Sequence, residues 1–340
     1  MGDDYGRASD EAAAAGLTGS EGEGEEDDFE FDKTVHVETD YVPPDVEAGE
    51  PEIVEHPQVA LNRDLHEKLE SEPALPAPTR RVFAGIPIAP VVQIKPYVNT
   101  MIYGLPGSGK THLAGTGAAS RHLAPLLYIN AEAGASTLTK LLAEENIQII
   151  PDPEAQGSIT WEQFEAVYDE LDRQCYNSSD LPDFRTAVID TGTELQKINM
   201  DWVMRRTLSA HPDRDPDVPG LHDWGASTNR MRKYLRLFRD LPMNFIFLCH
   251  ETTERDNQGV MWKRPDLPGK LANQVAGLFD QVMYLYTKQG DPGDETRPTE
   301  IRRMLLTGAL EGYVTKDRSG NLPLVVQSPN MNDIFELIHK

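Results

Sequence analysis

Cysteine is nearly absent from this sequence. Cys175 and Cys249 are the two in 340 residues, and they lie far apart. A disulfide framework is not expected, and a reducing compartment is the natural setting. Long apolar runs are absent as well. None approaches the roughly 20 residues that span a bilayer, and the first residues are polar and acidic, without an apolar leader segment. No membrane association is expected, and a cytoplasmic protein is. Basic residues are scarce, 32 Lys and Arg against 56 Asp and Glu, for a formal net charge of −24. A broad basic footprint of the kind common in nucleic-acid-binding domains is therefore missing.

The charge deficit is uneven. Residues 1–57 hold 19 acids and two basic residues, Arg7 and Lys33, so that segment alone carries −17 and the remainder −7. Residues 1–80 also hold proline-rich stretches such as "DYVPPDVEAGEPEIVEHP". Such a segment buries too little apolar area to offset its ordering entropy. It reads as a disordered acidic arm, with a short helix possible over 60–70. Phe29 and Phe31, set among the acids, suggest docking on a protein partner. Order is expected from residue 81 to residue 340.

Within that body, strand and helix patterns alternate. "PVVQIKPYVNTMIYG" alternates and then becomes continuously apolar, and with "LLYIN", "IQII", "FRTAVID" and "MNFIFLC" it reads as a buried strand. Helices are expected over 110–122, 134–145, from Trp161 to Cys175, after Asp190 to about Ser209, and over 223–240. A polar loop is expected from His250 to Pro268, further strands over "FDQVMYLYT", "IRRMLLT" and "EGYVTKD", and a final helix over "NDIFELIHK". Such alternation implies a mostly parallel, twisted sheet with helices on both faces. Ligands then bind beyond the carboxyl ends of the strands.

The segment "GLPGSGKTH" stands at such an end. Gly104, Leu105, Pro106, Gly107, Ser108, Gly109, Lys110 and Thr111 match G-x-x-x-x-G-K-[ST], and His112 follows. Glycines let the backbone approach phosphate oxygens and point N–H groups at them. Lys110 is placed to reach the β- and γ-phosphates and Thr111 to hold Mg²⁺. A nucleoside triphosphate, ATP, is the expected ligand. Asp190, ending "TAVID", stands where a Walker B acid would serve the same Mg²⁺. Thr191 follows it rather than a second acid, so the residue that activates water must lie elsewhere. Glu132 and Glu194 are the candidates.

These motifs resemble the RecA-type recombinase core. "LLYINAEAGASTL" is similar to that family's strand ending in Ala-Glu, whose glutamate orients the attacking water, and the resemblance assigns that role to Glu132. His250 stands where the family has a polar sensor of the γ-phosphate. "GYVTKDRSGNLP" resembles the stretch whose two basic residues reach a neighbouring subunit's ATP, here Lys316 and Arg318. From about Val91 to Lys340 the chain is similar to the phage-encoded RecA-like ATPases, some of which are single-strand annealing recombinases. The resemblance implies a RecA-like P-loop NTPase fold, DNA-stimulated ATP hydrolysis, and assembly into a ring or filament on single-stranded DNA. It also implies action in recombination, repair or replication in the cytoplasm of a phage's host.

Two loops would line the DNA path. The first, 209–223, is acidic on balance. The second, 251–270, offers Arg255, Trp262, Lys263, Arg264 and Lys270, an aromatic beside cations that suits a single strand. The helix "NRMRKYLRLFRDL" reads either as an amphipathic helix with a solvated basic face or as a DNA- or subunit-facing stripe. Other readings stay open: a helicase- or loader-like motor, a nucleotide-controlled switch that docks partners without DNA, and a small-molecule kinase.

Overall fold

Six parallel strands form the body of the sheet, and the alternation of their side chains feeds two separate cores. The structure is a computed structural model and describes residues 81–88, 97–132, 134–178, 181–289 and 301–340. The acidic arm and its short helix lie outside the described residues. The strands are β1 (Arg81–Phe83), β2 (Ile86–Ile88), β3 (Asn99–Gly104), β4 (Leu126–Asn130), β5 (Ile147–Ile150), β6 (Thr186–Asp190), β7 (Asn244–Arg255), β8 (Met261–Pro265), β9 (Gln281–Gln289), β10 (Ile301–Leu306), β11 (Lys316–Asp317) and β12 (Val325–Gln327). The helices are α1 (Lys110–Gly115), α2 (Trp161–Asn177), α3 (Gly192–Ala210), α4 (Leu221–Asp240), α5 (Lys270–Ala276) and α6 (Met331–Ile338). No helix among the described residues is long and apolar enough to cross a membrane.

The main sheet runs β12-β10-β9-β3-β7-β6-β4-β5, with β5 to β9 along this path all parallel. β10 and β12 extend it antiparallel, β11 adds to β9, and β8 folds back on β7. Met101, Tyr103, Ile189, Phe245 and Phe247 face a core closed by α2, α3 and α4. Their neighbours Ile102, Tyr128, Val188, Ile246 and Leu248 face the other, closed by α1 and α6. Burial on both faces explains why these strands read as continuous apolar runs.

Local chemistry sets the helix starts. Thr160 caps α2 in a capping box with Gln163, its Oγ1 accepting from Gln163 N at 3.2 Å while Gln163 Oε1 accepts from Thr160 N at 2.9 Å. Thr191 caps α3, so the residue after Asp190 ends the strand and opens the helix at once.

Three expectations are corrected. The helix foreseen over 110–122 stops at Gly115 and becomes a 3-10 turn over Thr116–Ala119. Gly115, Thr116 and Gly117 are weak helix formers, Thr116 Oγ1 donates back to Leu113 O at 2.6 Å, and it accepts from Met331 N at 2.9 Å. The helix foreseen over 134–145 is two 3-10 turns, Ala135–Lys140 and Glu144–Asn146, separated by Ala143 in the left-handed region. The loop foreseen from His250 to Pro268 is a β-hairpin. β7 runs on past His250 to Arg255, turns through Asp256–Gly259 with Gly259 at φ 89°, and returns as β8. The signal was present as a D-x-x-G turn between β-branched and aromatic runs, but the many charges masked it.

Candidate functional site

Strand register brings the chemistry together. Gly104 at the end of β3 pairs with His250 on β7, and Asp190 at the end of β6 pairs with Asn130, two residues before Glu132. Because β7 lies between β3 and β6, the three strand ends form one rim.

The glycines of the 104–111 turn are required by geometry. Gly107 and Gly109 adopt φ of 79° and 98°, which L side chains rarely take. A Cβ on Gly104 would strike the carbonyl oxygen of Leu285. Lys110 Nζ donates to the carbonyls of Gly104 and Leu105, each at 3.0 Å. Burial lowers the Lys110 pKa, and the carboxylates of Asp190 and Glu132 partly counter this.

Thr111 Oγ1 donates to Asp190 Oδ2 at 2.7 Å. Burial pushes the Asp190 pKa up to about 6, against the Thr111 hydrogen bond and Lys110, which lower it; the nearby Glu132 charge adds to the rise. Asp190 Oδ1 is buried with no hydrogen-bond partner, and so is Ser108 Oγ. An orphaned carboxylate oxygen beside a hydroxyl fits a hard cation. Among the described residues no cluster of three or more His, Cys, Asp or Glu could hold a metal.

His250 Nε2 lies 3.2 Å from Glu132 Oε1, and His250 Nδ1 is buried without a partner. Main-chain bonds fix the histidine. Its N–H donates to Thr193 Oγ1 at 3.1 Å, Thr193 Oγ1 donates to Asp266 O at 3.0 Å, and Asp266 N donates to His250 O at 2.8 Å. The start of α3 and the foot of the β7–β8 hairpin thus both hold His250 in place. Glu194, the competing acid, sits in the first turn of α3 and pairs with Lys197 at 2.6 Å.

A cavity of about 230 Å³ joins these groups, with Lys110, Thr111, Glu132, Asp190, His250 and Arg303 among its lining residues. Pro106, Gly107, Gly109 and His112 line it too, and Leu105 and Ser108 complete the turn. Arg303 is the residue that sequence reasoning missed. It comes from β10, in the antiparallel extension of the sheet, and "IRRMLL" carries no mark beyond a strand pattern. A Cβ on Gly109 would stand 2.5 Å from Arg303 Nε. Burial, and then the Arg303 charge, lower the His112 pKa.

Other foreseen residues are not brought to this cavity. Lys316 and Arg318 lie at the opposite end of the sheet, since β11 pairs with the Gln281–Val282 end of β9, beside Thr100 at the start of β3. Lys316 Nζ donates to Ala276 O at 2.9 Å, and its pKa is lowered by burial and by Arg318. Arg318 pairs with Asp280 at 2.9 Å. The hairpin cations have partners within the chain. Lys263 lies 3.5 Å from Glu251, Arg264 pairs with Glu254 at 2.8 Å, Arg255 Nε donates to Gly259 O at 3.2 Å, and Trp262 Nε1 donates to Asp256 at 2.9 Å. Lys270 opens α5.

A family model described as an AAA domain matches residues 97–319, from just before β3 to just past Arg318. The chain belongs to the AAA domain family. Its sheet order and turn make this AAA domain a RecA-like P-loop NTPase. Similar solved structures include the RadB recombinase, at 16% identity and a TM-score of 0.36, covering 68% of this chain and 86% of that one. Another is the flagellar accessory protein FlaH from Methanocaldococcus jannaschii, at 8% identity and a TM-score of 0.33, covering 68% and 85%. No curated protein matches the AAA domain chain.

Proposed function

We propose that this AAA domain protein hydrolyses ATP with Mg²⁺ in response to single-stranded DNA, in recombination, repair or replication. The phage-encoded annealing ATPases are the relatives its motifs resemble. The observation that carries the ATPase part is the Thr111–Asp190 pair, with its orphaned Oδ1, in one cavity with Lys110, Glu132 and His250. Bound Mg²⁺, held by Thr111 and Asp190, supplies charge neutralisation at the β- and γ-phosphates. Lys110 exchanges its two loop carbonyls for phosphate oxygens, a charge-assisted and stronger bond. Glu132 orients and deprotonates the attacking water, and His250 donates to the γ-phosphate. His250 shares β7 with the hairpin, so a ligand touching the hairpin or its foot can change the γ-phosphate contact. Lys316 and Arg318, remote from their own cavity, are assigned to the nucleotide of a neighbouring copy in a ring or filament. Residues 81–340 form the ATPase domain, and the polyanionic segment 1–80 serves a protein partner in the cytoplasm.

The reading is tested by ATP turnover with and without a single-stranded oligonucleotide, at low and moderate salt. Salt-sensitive stimulation is expected. Turnover indifferent to DNA would replace the reading with a nucleotide-controlled switch, and ATP-driven unwinding with a motor. Lys110→Ala is expected to abolish measurable turnover in every arm, and retained turnover would remove the assignment of this cavity. Arg303→Ala is expected to weaken ATP binding about tenfold, by the loss of one charge-assisted contact. Titration with a fluorescent ATP analogue measures it, and an unchanged Kd would make Arg303 a bystander.

A further inference from the structure

A second cavity, of about 400 Å³, lies between α3 and α4 and takes no part in the nucleotide site. Its lining includes Trp202, Val203 and Ala226 as apolar wall, with Arg206, Arg230 and Lys233 as cations, and no Asp or Glu. On a chain of net charge −24, such a cluster is a marked local exception. Trp202 is nearly buried and is clasped by two guanidiniums, Arg230 at 3.9 Å and Arg206 at 4.7 Å from the ring centroid. Arg230 is further tied to Glu165 at 2.6 Å.

Arg206 and Lys233 are exposed, and among the described residues neither has an ion pair. The hairpin cations, by contrast, are spent on the chain's own carboxylates and carbonyls. Asp223, on α4 beside the groove's His222, is also engaged, with Arg214 at 2.5 Å and Thr207 at 2.9 Å. On α4 the stripe continues at helical spacing through Asn229, Lys233 and Arg236, the last also exposed.

We propose that this groove is the single-strand nucleic-acid site of the protein. Phosphates lie on Arg206 and Lys233, and bases lie against the apolar wall and the guanidinium faces. The inference rests on the nucleic-acid-dependent reading given above and moves its contact from the hairpin to the α3–α4 groove. The occupant follows from chemistry. Cations without an ion pair, beside flat, apolar and guanidinium surfaces, match a polymer that alternates anions with flat rings. A free nucleotide would use one cation and leave the stripe through Arg236 idle.

The test is fluorescence anisotropy of a dye-labelled oligothymidylate on the full chain across a salt series. Arg206→Ala with Lys233→Ala is expected to raise Kd at least tenfold. It should also flatten the slope of log K against log salt by about 1.4, two phosphate contacts at roughly 0.7 each. Both side chains are exposed, and their contacts with Trp202 and Tyr234 are worth about 0.5–1 kcal/mol each, so the melting temperature should fall by only a few degrees, and Lys233→Glu alone should show the same direction. Unchanged Kd and slope would overturn the groove. If Arg255→Ala with Trp262→Ala abolishes binding instead, the groove falls and the DNA-dependent reading stands. If the wild-type chain binds no oligonucleotide at low salt, both fall. If a labelled peptide of the sequence from Glu21 to Lys33 binds through Arg206 while the oligonucleotide does not, the groove belongs to an acidic protein partner and the proposal is overturned.

Discussion

Replacing Asp190 by Asn is expected to make the protein more stable and catalytically inert. In the folded chain the Asp190 pKa is pushed up to about 6, against about 3.9 for an unstructured aspartate. Between those values the native state keeps a proton that the unfolded chain has lost. Stability therefore falls as pH rises through this window, and above about pH 6 the full penalty stands, about 3 kcal/mol for a two-unit shift. Asparagine carries no charge to desolvate and still offers Thr111 an acceptor. In EDTA at pH 8, Asp190→Asn should melt about 5–10 °C above wild type, and the gap should shrink by pH 5. Added Mg²⁺ and ATP should raise the wild-type melting temperature and leave the variant little changed. A variant that melts at or below wild type at pH 8 would mean that the buried carboxylate is already compensated. Turnover should drop below detection, because the cation loses its charged ligand. A stability gain paired with a loss of function is the mark of a group held in a costly state for its chemistry.

Glu132→Gln is expected to lower turnover by about 10²–10⁴-fold, the usual contribution of a positioned general base, while ATP affinity stays near wild type. Glutamine can keep the 3.2 Å contact with His250 Nε2 but cannot accept a proton. Comparing binding with single-turnover hydrolysis separates the two effects. Wild-type turnover in the variant would reject Glu132 and return the question to Glu194. That acid starts at a disadvantage, being held by Lys197 in the first turn of α3.

The asymmetry between these two carboxylates was only partly visible in the residue pattern. Asp190 ends an apolar strand and Glu132 follows one, and both could be placed at the carboxyl edge of a parallel sheet. Position in the sheet then separates them. Asp190 points into the wall between β6 and α1, against Thr111, and is buried. Glu132 is partly exposed, next to a histidine. Burial depends on which strands become neighbours, and an apolar run looks the same at the centre of a sheet as near its edge.

Arg303 escaped for the same reason, and of the α3–α4 groove only the α4 stripe was legible, as a face that could meet DNA or a subunit. Arg303 sits in an ordinary strand pattern and meets Gly109 only because β10 folds back antiparallel on β9 and carries that side chain over the turn. Trp202, Arg206 and Arg230 come from two helices, of which only α4 has a clear amphipathic pattern, and acquire meaning where the helices cross. The hairpin at 251–265 reads as a loop from its residues alone. Its cations looked available in a one-dimensional reading, and antiparallel pairing set Arg264 beside Glu254 and Lys263 beside Glu251.

What the sequence determined by itself was local and periodic. It carried the glycine turn with its lysine and threonine, the buried strands, the acid ending β6 and the alternation that makes a parallel sheet with helices on both faces. Those features follow from steric limits on φ and from the spacing of apolar residues, both written in neighbouring positions. The tertiary structure alone decided which charges were free and which were spent, which arginine reached the phosphate turn, and where an unclaimed cationic groove opened. Electrostatic pairing and desolvation act between residues close in space, and only the folded chain sets those distances.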